Sequence, residues 1–472
     1  MFVKRFFEPS IAQASYLIGC ARAGEAIVID ANRDIQAYLD VADAEGLRIT
    51  QVTETHIHAD FVSGSRALAQ RTGATLSLSD EGDADWQYQF PHDRRLKDGD
   101  RIAIGNVTID VLHTPGHTPE HLTFLITDGA AADRPIAAVT GDFLFVGDVG
   151  RPDLLERAAN IKGSMEKAAR VLWRSLREFA ARDEWLQIWP GHGAGSACGK
   201  GISAIPTSTL GYEKRFNWAF AISNEDQFVD SVLRGQPEPP KYFATMKKVN
   251  KEGPAILNGF HVPSQFDASA LPGVLARRAL VIDTRPAAEY AAAHLEGTIN
   301  IPLNGSFVTW AGWLIRQPEF YLIVDRATAT ARLGELARSL ALIGIDRVTG
   351  YFDPDQVRGD RAIAQISATD LAARLSTVSI IDVRGAAEWA DGHIPGALHI
   401  PLGHLAERAG ELPPGRPIIV HCQSGGRSSI AASVLEQLGA GDVTNLSGGI
   451  TAWSAAGLPI QKETHDAQTS RA

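Results

Sequence analysis

The feature that most constrains this chain of 472 residues is an internal repeat. Residues 281–303 read VIDTRPAAEYAAAHLEGTINIPL and residues 380–402 read IIDVRGAAEWADGHIPGALHIPL, identical at 12 of 23 positions at an offset of 99. That offset is too long for a solenoid unit and suits a duplicated domain of about 100 residues. Each copy opens with a β-branched run ending in Asp-x-Arg, passes through a helical stretch carrying Glu, and closes on His-x-x-Gly and an Ile-Pro-Leu strand end. Strand, helix and strand alternate, which predicts two small α/β units with largely parallel sheets.

At about 150 residues per domain the length suggests roughly three domains. The Pro-rich, charged stretch GQPEPPKYF (235–243) and the following KKVNKEGP close the first, so the expected domains are 1–245, 255–360 and 365–462, with ATDLAARL (368–375) as a helix opening the last. The polar tail after Ile460 is expected to fray. With 45 basic and 55 acidic side chains the net charge is −10, which argues against nucleic acid or an anionic membrane as a partner. No apolar run approaches the roughly 18 residues of a membrane helix. Three cysteines, Cys20, Cys198 and Cys422, lie far apart without CxxC spacing, so neither a disulfide framework nor a Cys-rich zinc module is expected. The start of the chain faintly resembles a secretory signal, but Glu8 and Pro9 interrupt its apolar stretch, and the cytoplasm is the expected compartment.

The first domain carries four short strings of potential ligands. ITQVTETHIHADFVSGSRALAQ places His56, His58 and Asp60 after a β-branched run, where residues i and i+2 of an extended segment face one side. HTPGHTPEH sets His117 on a Pro-Gly turn, AAVTGDFLF sets Asp142 at a strand end, and WPGHGAGSACGKG sets His192 on a Gly-rich turn. Each marks a strand giving way to a turn, the place where open α/β folds bind ligands.

HIHAD, PGHT, TGD and PGH in this order resemble the metallo-β-lactamase superfamily, over about the first 240 residues. The resemblance implies an αββα sandwich with the site at one rim. The superfamily's usual string is HxHxDH, and Phe61 stands at its last His. Phe has no lone pair to offer, so the second metal of the superfamily's hydrolases loses a ligand and a mononuclear site is expected. Among superfamily members the persulfide dioxygenases use one iron, and their ligands correspond to His56, His117 and Asp142. Two His and one carboxylate with open positions is the facial arrangement of non-haem Fe(II) oxygenases. His58 either coordinates as well or sits in the shell behind the ligands. Asp60 and His192 remain to orient waters or substrate. Phe61 also has a plain reading as core packing. Arg151, in GDVGRPDLL, resembles an Arg that faces a carboxylate of a glutathione-like thiol, with a structural ion pair as the alternative. The loop after His192 adds Lys200 and Cys198, the latter either an accessory thiol or a buried inert one.

In the second repeat, PIIVHCQSGGRSSIAASVLEQLG runs a β-branched strand into Cys422 and the loop Gln423, Ser424, Gly425, Gly426, followed by Arg427 and a helix. A cysteine facing a helix N-terminus has its thiolate favoured by converging N–H groups, and such a cradle suits a persulfide. With IIDVR, GHIPGALHIP and LSGGITAW, residues 365–462 resemble a rhodanese sulfurtransferase domain. Protein phosphatases share the Cys-loop-Arg pattern but place five residues between Cys and Arg, whereas this loop has four. The first repeat reads FYLIVDRATATARLGELARSLALIG there, with Arg326 at the expected Cys position and no glycine in the loop, and resembles an inactive rhodanese.

The fold expected is thus α/β multidomain, an αββα sandwich followed by two small α/β rhodanese units. The resemblances imply a persulfide dioxygenase with one Fe(II) per chain, converting a glutathione-like thiol persulfide and O₂ to sulfite and thiol. Sulfur transfer among Cys422, sulfite and thiosulfate would accompany it, in sulfide detoxification. Two rival readings remain: a glyoxalase-II-like thioester hydrolase fused to a rhodanese, and a non-catalytic sulfur carrier or sensor. Homo-oligomerisation is left open.

Overall fold

The structure, a computed structural model, describes residues 1–154, 163–357 and 359–462. From residue 463 on, the tail expected to fray lies outside the described residues. The chain divides into two compact units, Met1–Phe260 with Arg338–Ile345, and His261–Ala337 with the segment from Asp346 onward. Among the described residues no helix is long and apolar enough to cross a membrane.

The first unit contains two six-stranded sheets. One runs in order β1 (Phe2–Glu8), β2 (Gln13–Cys20), β3 (Glu25–Ile29), β4 (Arg48–Thr53), β5 (Thr75–Ser79) and β6 (Arg94–Leu96). Its first three strands are antiparallel hairpin partners and the rest are parallel. The other sheet comprises β7 (Arg101–Ile104), β8 (Val107–His113), β9 (Leu122–Asp128), β10 (Ala137–Gly141), β11 (Gln187–Pro190) and β12 (Ser208–Thr209), also in chain order.

Both faces of β2 are covered, and it is buried along its whole length. The two-residue period sorts its side chains. Tyr16 and Ile18 point between the sheets, where they meet Ile109, Phe124 and Val139, while Leu17 turns outward to Tyr38 and Leu68 on the helices Gln36–Ala44 and Ser65–Thr72. The outer face of the second sheet packs Leu125, Ala138 and Ile188 against Leu172 and Leu176 of the helix Ser164–Phe179. Helix, sheet, sheet, helix is the layer order expected from the resemblance.

The second unit holds two parallel sheets. The first repeat forms β13 (Leu280–Asp283), β14 (Ile299–Asn300), β15 (Phe320–Ile323) and β16 (Gly350–Phe352), in order β14-β13-β15-β16. The second forms β17 (Ala364–Ile366), β18 (Ser379–Asp382), β19 (Leu398–His399), β20 (Ile418–His421) and β21 (Val443–Leu446), in order β17-β21-β20-β18-β19. The two orders superimpose, with β17 reduced in the first repeat to a single parallel bridge, Gln265 to Tyr351.

The repeated Asp-x-Arg is a structural device. Arg384 grips the Asp382 carboxylate through Nε (3.0 Å) and Nη2 (2.6 Å) and donates to the Gly392 carbonyl (2.7 Å). Arg285 does the same to Asp283 (3.0 and 2.6 Å) and to Ala293 (3.1 Å). Burial pushes Asp382 up, but hydrogen bonds from Arg384, with the electrostatic influence of nearby His421, outweigh it and hold the carboxyl below its usual range. Its contribution to stability is therefore present above the usual carboxylate range and lost as the pH falls through the depressed value. Arg384→Leu strands a buried anion and should lower the denaturant midpoint of this unit, at a cost of about 3–5 kcal/mol. Arg285→Leu should cost less, because the Arg285 side chain is 23% exposed; equal midpoints for the two variants would contradict this account.

Candidate metal centre and sulfur cradle

The ligand-bearing strings gather where strands of the two facing sheets end. His56 follows β4, His117 follows β8, Asp142 follows β10 and His192 follows β11. Nε2 of His117 stands 3.6 Å and Nε2 of His56 4.0 Å from Asp142 Oδ2, and Nε2 of His192 stands 3.4 Å from Asp142 Oδ1. All four side chains are buried. Ligand atoms of His56, His117 and Asp142 lie within 4.8 Å of one another, as do those of Asp60, His192 and Cys198.

Each imidazole is held in one tautomer by what its other nitrogen meets. His117 Nδ1 faces the Arg151 carbonyl at 3.0 Å and His192 Nδ1 the Ala12 carbonyl at 3.0 Å, so both nitrogens are donors. His56 Nδ1 reaches Thr55 Oγ1 at 2.9 Å, and that hydroxyl donates to Asp30 Oδ2 at 2.9 Å, so Thr55 accepts from the ring. The Nε2 lone pairs of His56 and His117 then point at the Asp142 carboxylate. Burial lowers His56 well below the ordinary range and lowers His117 too, which keeps their rings neutral and able to ligate. Burial opposes the Asp142 carboxylate, but the neighbouring His192 holds it well below its usual range. Both Asp142 oxygens, and both of Asp60, lack a hydrogen-bond partner. Buried carboxylates without donors, facing imidazole lone pairs, fit a cation.

His58 departs from the alternation expected of HIHAD. Its segment has already left β4, and its Nε2 donates to Asp30 Oδ1 at 3.1 Å instead of joining the His56 cluster. Burial would lower this imidazole, yet Asp30, Glu54 and Asp60 raise it to about 9. Phe61 is fully buried with its ring centroid 4.4 Å from that of His58, an apolar wall beside the polar cluster.

In the second unit, β20 delivers Cys422 to the start of the helix Gly426–Gln437. The Gly425 N–H donates to Cys422 Sγ at 3.2 Å and the Ser428 hydroxyl at 3.5 Å. Gly425 sits at φ +103, a conformation that side-chain-bearing residues rarely adopt, and this turns its N–H onto the sulfur. Arg427 is not a free charge over the cradle: its Nη1 and Nη2 grip Glu388 at 2.6 and 2.7 Å. Gln423 is tied to Thr451 at 3.1 Å, while Ser424 and Gly426 stay exposed at the cradle's mouth.

A family model described as the metallo-beta-lactamase superfamily matches residues 11–192, and one described as a rhodanese-like domain matches residues 367–456. A probable metallo-hydrolase of Burkholderia pseudomallei is 32% identical over 221 residues, covering 41% of this chain and 72% of that protein. The chain belongs to the metallo-beta-lactamase superfamily. Within it, the bovine persulfide dioxygenase ETHE1 is 31% identical over 236 residues, covering 48% of this chain and 78% of that protein. The crystal structure of a Staphylococcus aureus metallo-beta-lactamase has a TM-score of 0.67 at 43% identity, covering 75% of this chain and 99% of that one. A sulfurtransferase of Allochromatium vinosum is 42% identical over 101 residues, 21% of this chain and 94% of that protein. This superfamily member therefore carries a buried His/Asp metal site and a C-terminal rhodanese sulfurtransferase domain.

Three sequence expectations need correction. Arg151 is fully buried, paired with Asp153 at 2.8 and 2.7 Å and donating to the Ala197 carbonyl at 2.9 Å, so the ion-pair alternative is the one realised. Lys200 points away from the cluster, its ammonium on the Ser231 and Arg234 carbonyls and over the Trp218 ring. Arg326 does not stand at the Cys422 position. Asp283 is paired with Ile323 as Asp382 is with His421, so Val324 is the equivalent of Cys422 and Arg326 already begins the next helix.

Two residues of this metallo-beta-lactamase site escaped the sequence reading. Asp30 accepts from the Thr55 N–H (2.6 Å), the Thr55 hydroxyl and His58. His121 Nε2 accepts the Asp142 N–H at 3.1 Å while its Nδ1 donates to Thr114 at 3.0 Å. An acid closing the apolar run IVID is the same signal that marked Asp142. Gly141 lets these groups close up: at φ +47, a Cβ there would lie 2.5 Å from Thr55 Oγ1 and 2.8 Å from His121 Nε2. Thr55→Val keeps the volume but cuts the link from Asp30 to His56, and should weaken metal binding by about 10–100-fold. Metal retention during chelator titration measures it; an unchanged affinity would remove Thr55 from the site.

Proposed function

We propose that the first 245 residues form a mononuclear non-haem iron persulfide dioxygenase, that residues 255–360 are an inactive rhodanese-like unit, and that residues 365–462 are an active rhodanese. The observation that carries this reading is the His56–His117–Asp142 cluster beside fully buried Phe61, where a nitrogen ligand would otherwise complete a second metal position. The likeness to a persulfide dioxygenase supports it.

His56, His117 and Asp142 would hold one Fe(II), which when bound supplies the redox chemistry and open positions that dioxygen requires. The balanced reaction is thiol persulfide plus O₂ and water giving thiol, sulfite and two protons, with four electrons passing from the sulfane sulfur to dioxygen. Phe61 excludes water from one side, and Asp30 through Thr55 keeps His56 in its ligating tautomer. Asp60 and His192, 3.2 Å apart at the edge of the cluster, would orient a water or the substrate. In the rhodanese unit the Cys422 thiolate takes up a sulfane sulfur. The Gly425 N–H and the Ser428 hydroxyl stabilise charge on it, and sulfite attacks that sulfur to release thiosulfate and restore the thiolate.

A second reading, a two-metal thioester hydrolase, is favoured by Asp60, His192 and Cys198, whose donors also lie within 4.8 Å of one another. The two readings differ in metal count and oxygen use. His117→Ala should release the iron and stop oxygen uptake with glutathione persulfide. Active protein holding two zinc ions per chain and consuming no oxygen would establish the hydrolase instead.

Cys422→Ser should abolish sulfur transfer to and from thiosulfate while iron content and oxygen uptake persist, so that sulfite accumulates. Loss of oxygen uptake with fold and iron intact would mean that Cys422 serves the iron site directly. In the first repeat, Val324→Cys places a thiol at the equivalent position but without Gly425's positive φ or the longer loop. Added to Cys422→Ser, it should leave thiocyanate production from thiosulfate and cyanide at background; robust production would show that the loop is dispensable.

A further inference from the structure

A cavity of about 890 Å³ lies in front of Cys422, wholly within the second compact unit. Cys422, Ser424 and Arg427 line one side, and the first repeat lines the other. Most telling is which part of the first repeat takes part. Asp325 comes from its shortened strand-to-helix segment, the counterpart of the sulfur cradle itself, and Thr328 and Arg332 from the first two turns of the helix that follows. A segment that cannot hold sulfur thus borders the site that does.

The volume falls in the range of about 300–1,000 Å³ usual for small-molecule sites, and far exceeds what thiosulfate or sulfite would fill. Its ionic lining is mixed, with Arg285, Arg332 and Arg427 set against Glu289, Asp325 and Asp355. Arg285 and Arg427 are already consumed by close pairs with Asp283 and Glu388. Arg332 has only a looser contact, 3.6 Å from Glu335, with its side chain 46% exposed. Asp325 accepts from the Thr328 N–H at 2.9 Å, and the Thr328 hydroxyl and N–H together hold its carboxylate below the usual range. Glu289 and Asp355 are exposed beside it. A purely anionic ligand would meet three acids here; a ligand bearing both an ammonium and a carboxylate meets a partner for each. Trp310, half-buried in the same wall, offers a flat apolar surface to the chain between them.

We propose that this cavity binds a zwitterionic, amino-acid-derived thiol persulfide, with Arg332 receiving its carboxylate and Asp325 its ammonium, so that the first repeat selects the donor for Cys422. The inference rests on Cys422 being the sulfur-carrying residue. In the transfer, the Cys422 thiolate attacks the outer sulfur of the bound persulfide. A new S–S bond forms at Sγ, the carrier's S–S bond breaks, and its electron pair leaves on the carrier thiolate, so no oxidant or reductant is consumed. Arg332 and Asp325 are positioning residues, remote from the sulfur.

The test uses the full-length protein without oxygen, which silences oxidation, with cyanide as acceptor and either glutathione persulfide or thiosulfate as donor. The double variant Asp325→Asn/Arg332→Ala should lose about tenfold or more in kcat/KM for glutathione persulfide, chiefly through KM, as two charge-assisted contacts are removed. Thiosulfate turnover, which also reports that the cradle is folded, should stay within about twofold, and Arg332→Lys should recover part of the loss. Unchanged kinetics with both donors, or an equal fall with both, would overturn the proposal. S-methylglutathione should also protect Cys422 of the wild type from iodoacetamide but not that of the double variant; equal protection of the two, or none in the wild type, would overturn it as well. Sulfur transfer that persists in Cys422→Ser would instead overturn the assignment of Cys422, and this inference with it.

Discussion

A carboxylate with neither oxygen hydrogen-bonded is buried at Asp142, and the first unit is arranged around keeping it there. An isolated charge in such a place costs several kcal/mol even after relaxation, so the surroundings must supply the compensation that water would have given. A cation bound there would do so, and three imidazoles turn Nε2 toward the place it would take, their other nitrogens committed elsewhere: His117 to Arg151, His192 to Ala12, His56 through Thr55 to Asp30. His121 fixes the Asp142 backbone from behind. These partners come from both sheets, so the rim works as a site only when the two sheets pack face to face. The layers of Ile, Val and Phe between them set the spacing within which the ligands meet.

What was legible in the sequence follows from the same constraint. Histidines and acids where apolar strands give way to turns had to converge if those strands shared one end, and His56, His117, Asp142 and His192 do. Direction was less legible than position. Arg151 and Lys200 are near the site in sequence, but one turns into a buried pair with Asp153 and the other onto the Ser231 and Arg234 carbonyls. Nothing in a one-dimensional string distinguishes a guanidinium that faces a ligand from one that neutralises a neighbour two residues away. Asp30 was missed for the opposite reason: the nearest of its carboxylate's partners, Thr55, is 25 residues distant, and its pattern, an acid ending a strand, is common.

The duplicated unit shows which parts of a repeat carry the fold and which carry chemistry. Both copies keep the Asp-x-Arg pair, the strand order and the register of the central strands. They part where the strand meets the helix. Two residues separate β15 from its helix and four separate β20 from its own. That shortening also misled the sequence comparison, because it slides Arg326 under the cysteine in a string while the sheet register holds Val324 there. Strand pairing cannot tolerate a slip of this kind, whereas a surface loop can, and so the loops differ while the sheet is kept.

The three cysteines show why one of them suits sulfur transfer. Cys20 receives the Asn106 N–H at 3.4 Å, which with other backbone donors lowers its thiol, but its sulfur is packed among the residues between the sheets. Cys198 sits beside Asp60 and His192, and burial pushes its thiol up to about 12, so without a cation or an added donor it stays protonated. Cys422 is as buried as the other two by area, yet its sulfur faces a glycine N–H at a helix start and borders a large cavity. A persulfide needs both conditions: a donor to hold the added charge, and room for the outer sulfur and its carrier. Neither the pattern of N–H donors nor access alone would single out this residue. Their coincidence at the end of β20 does.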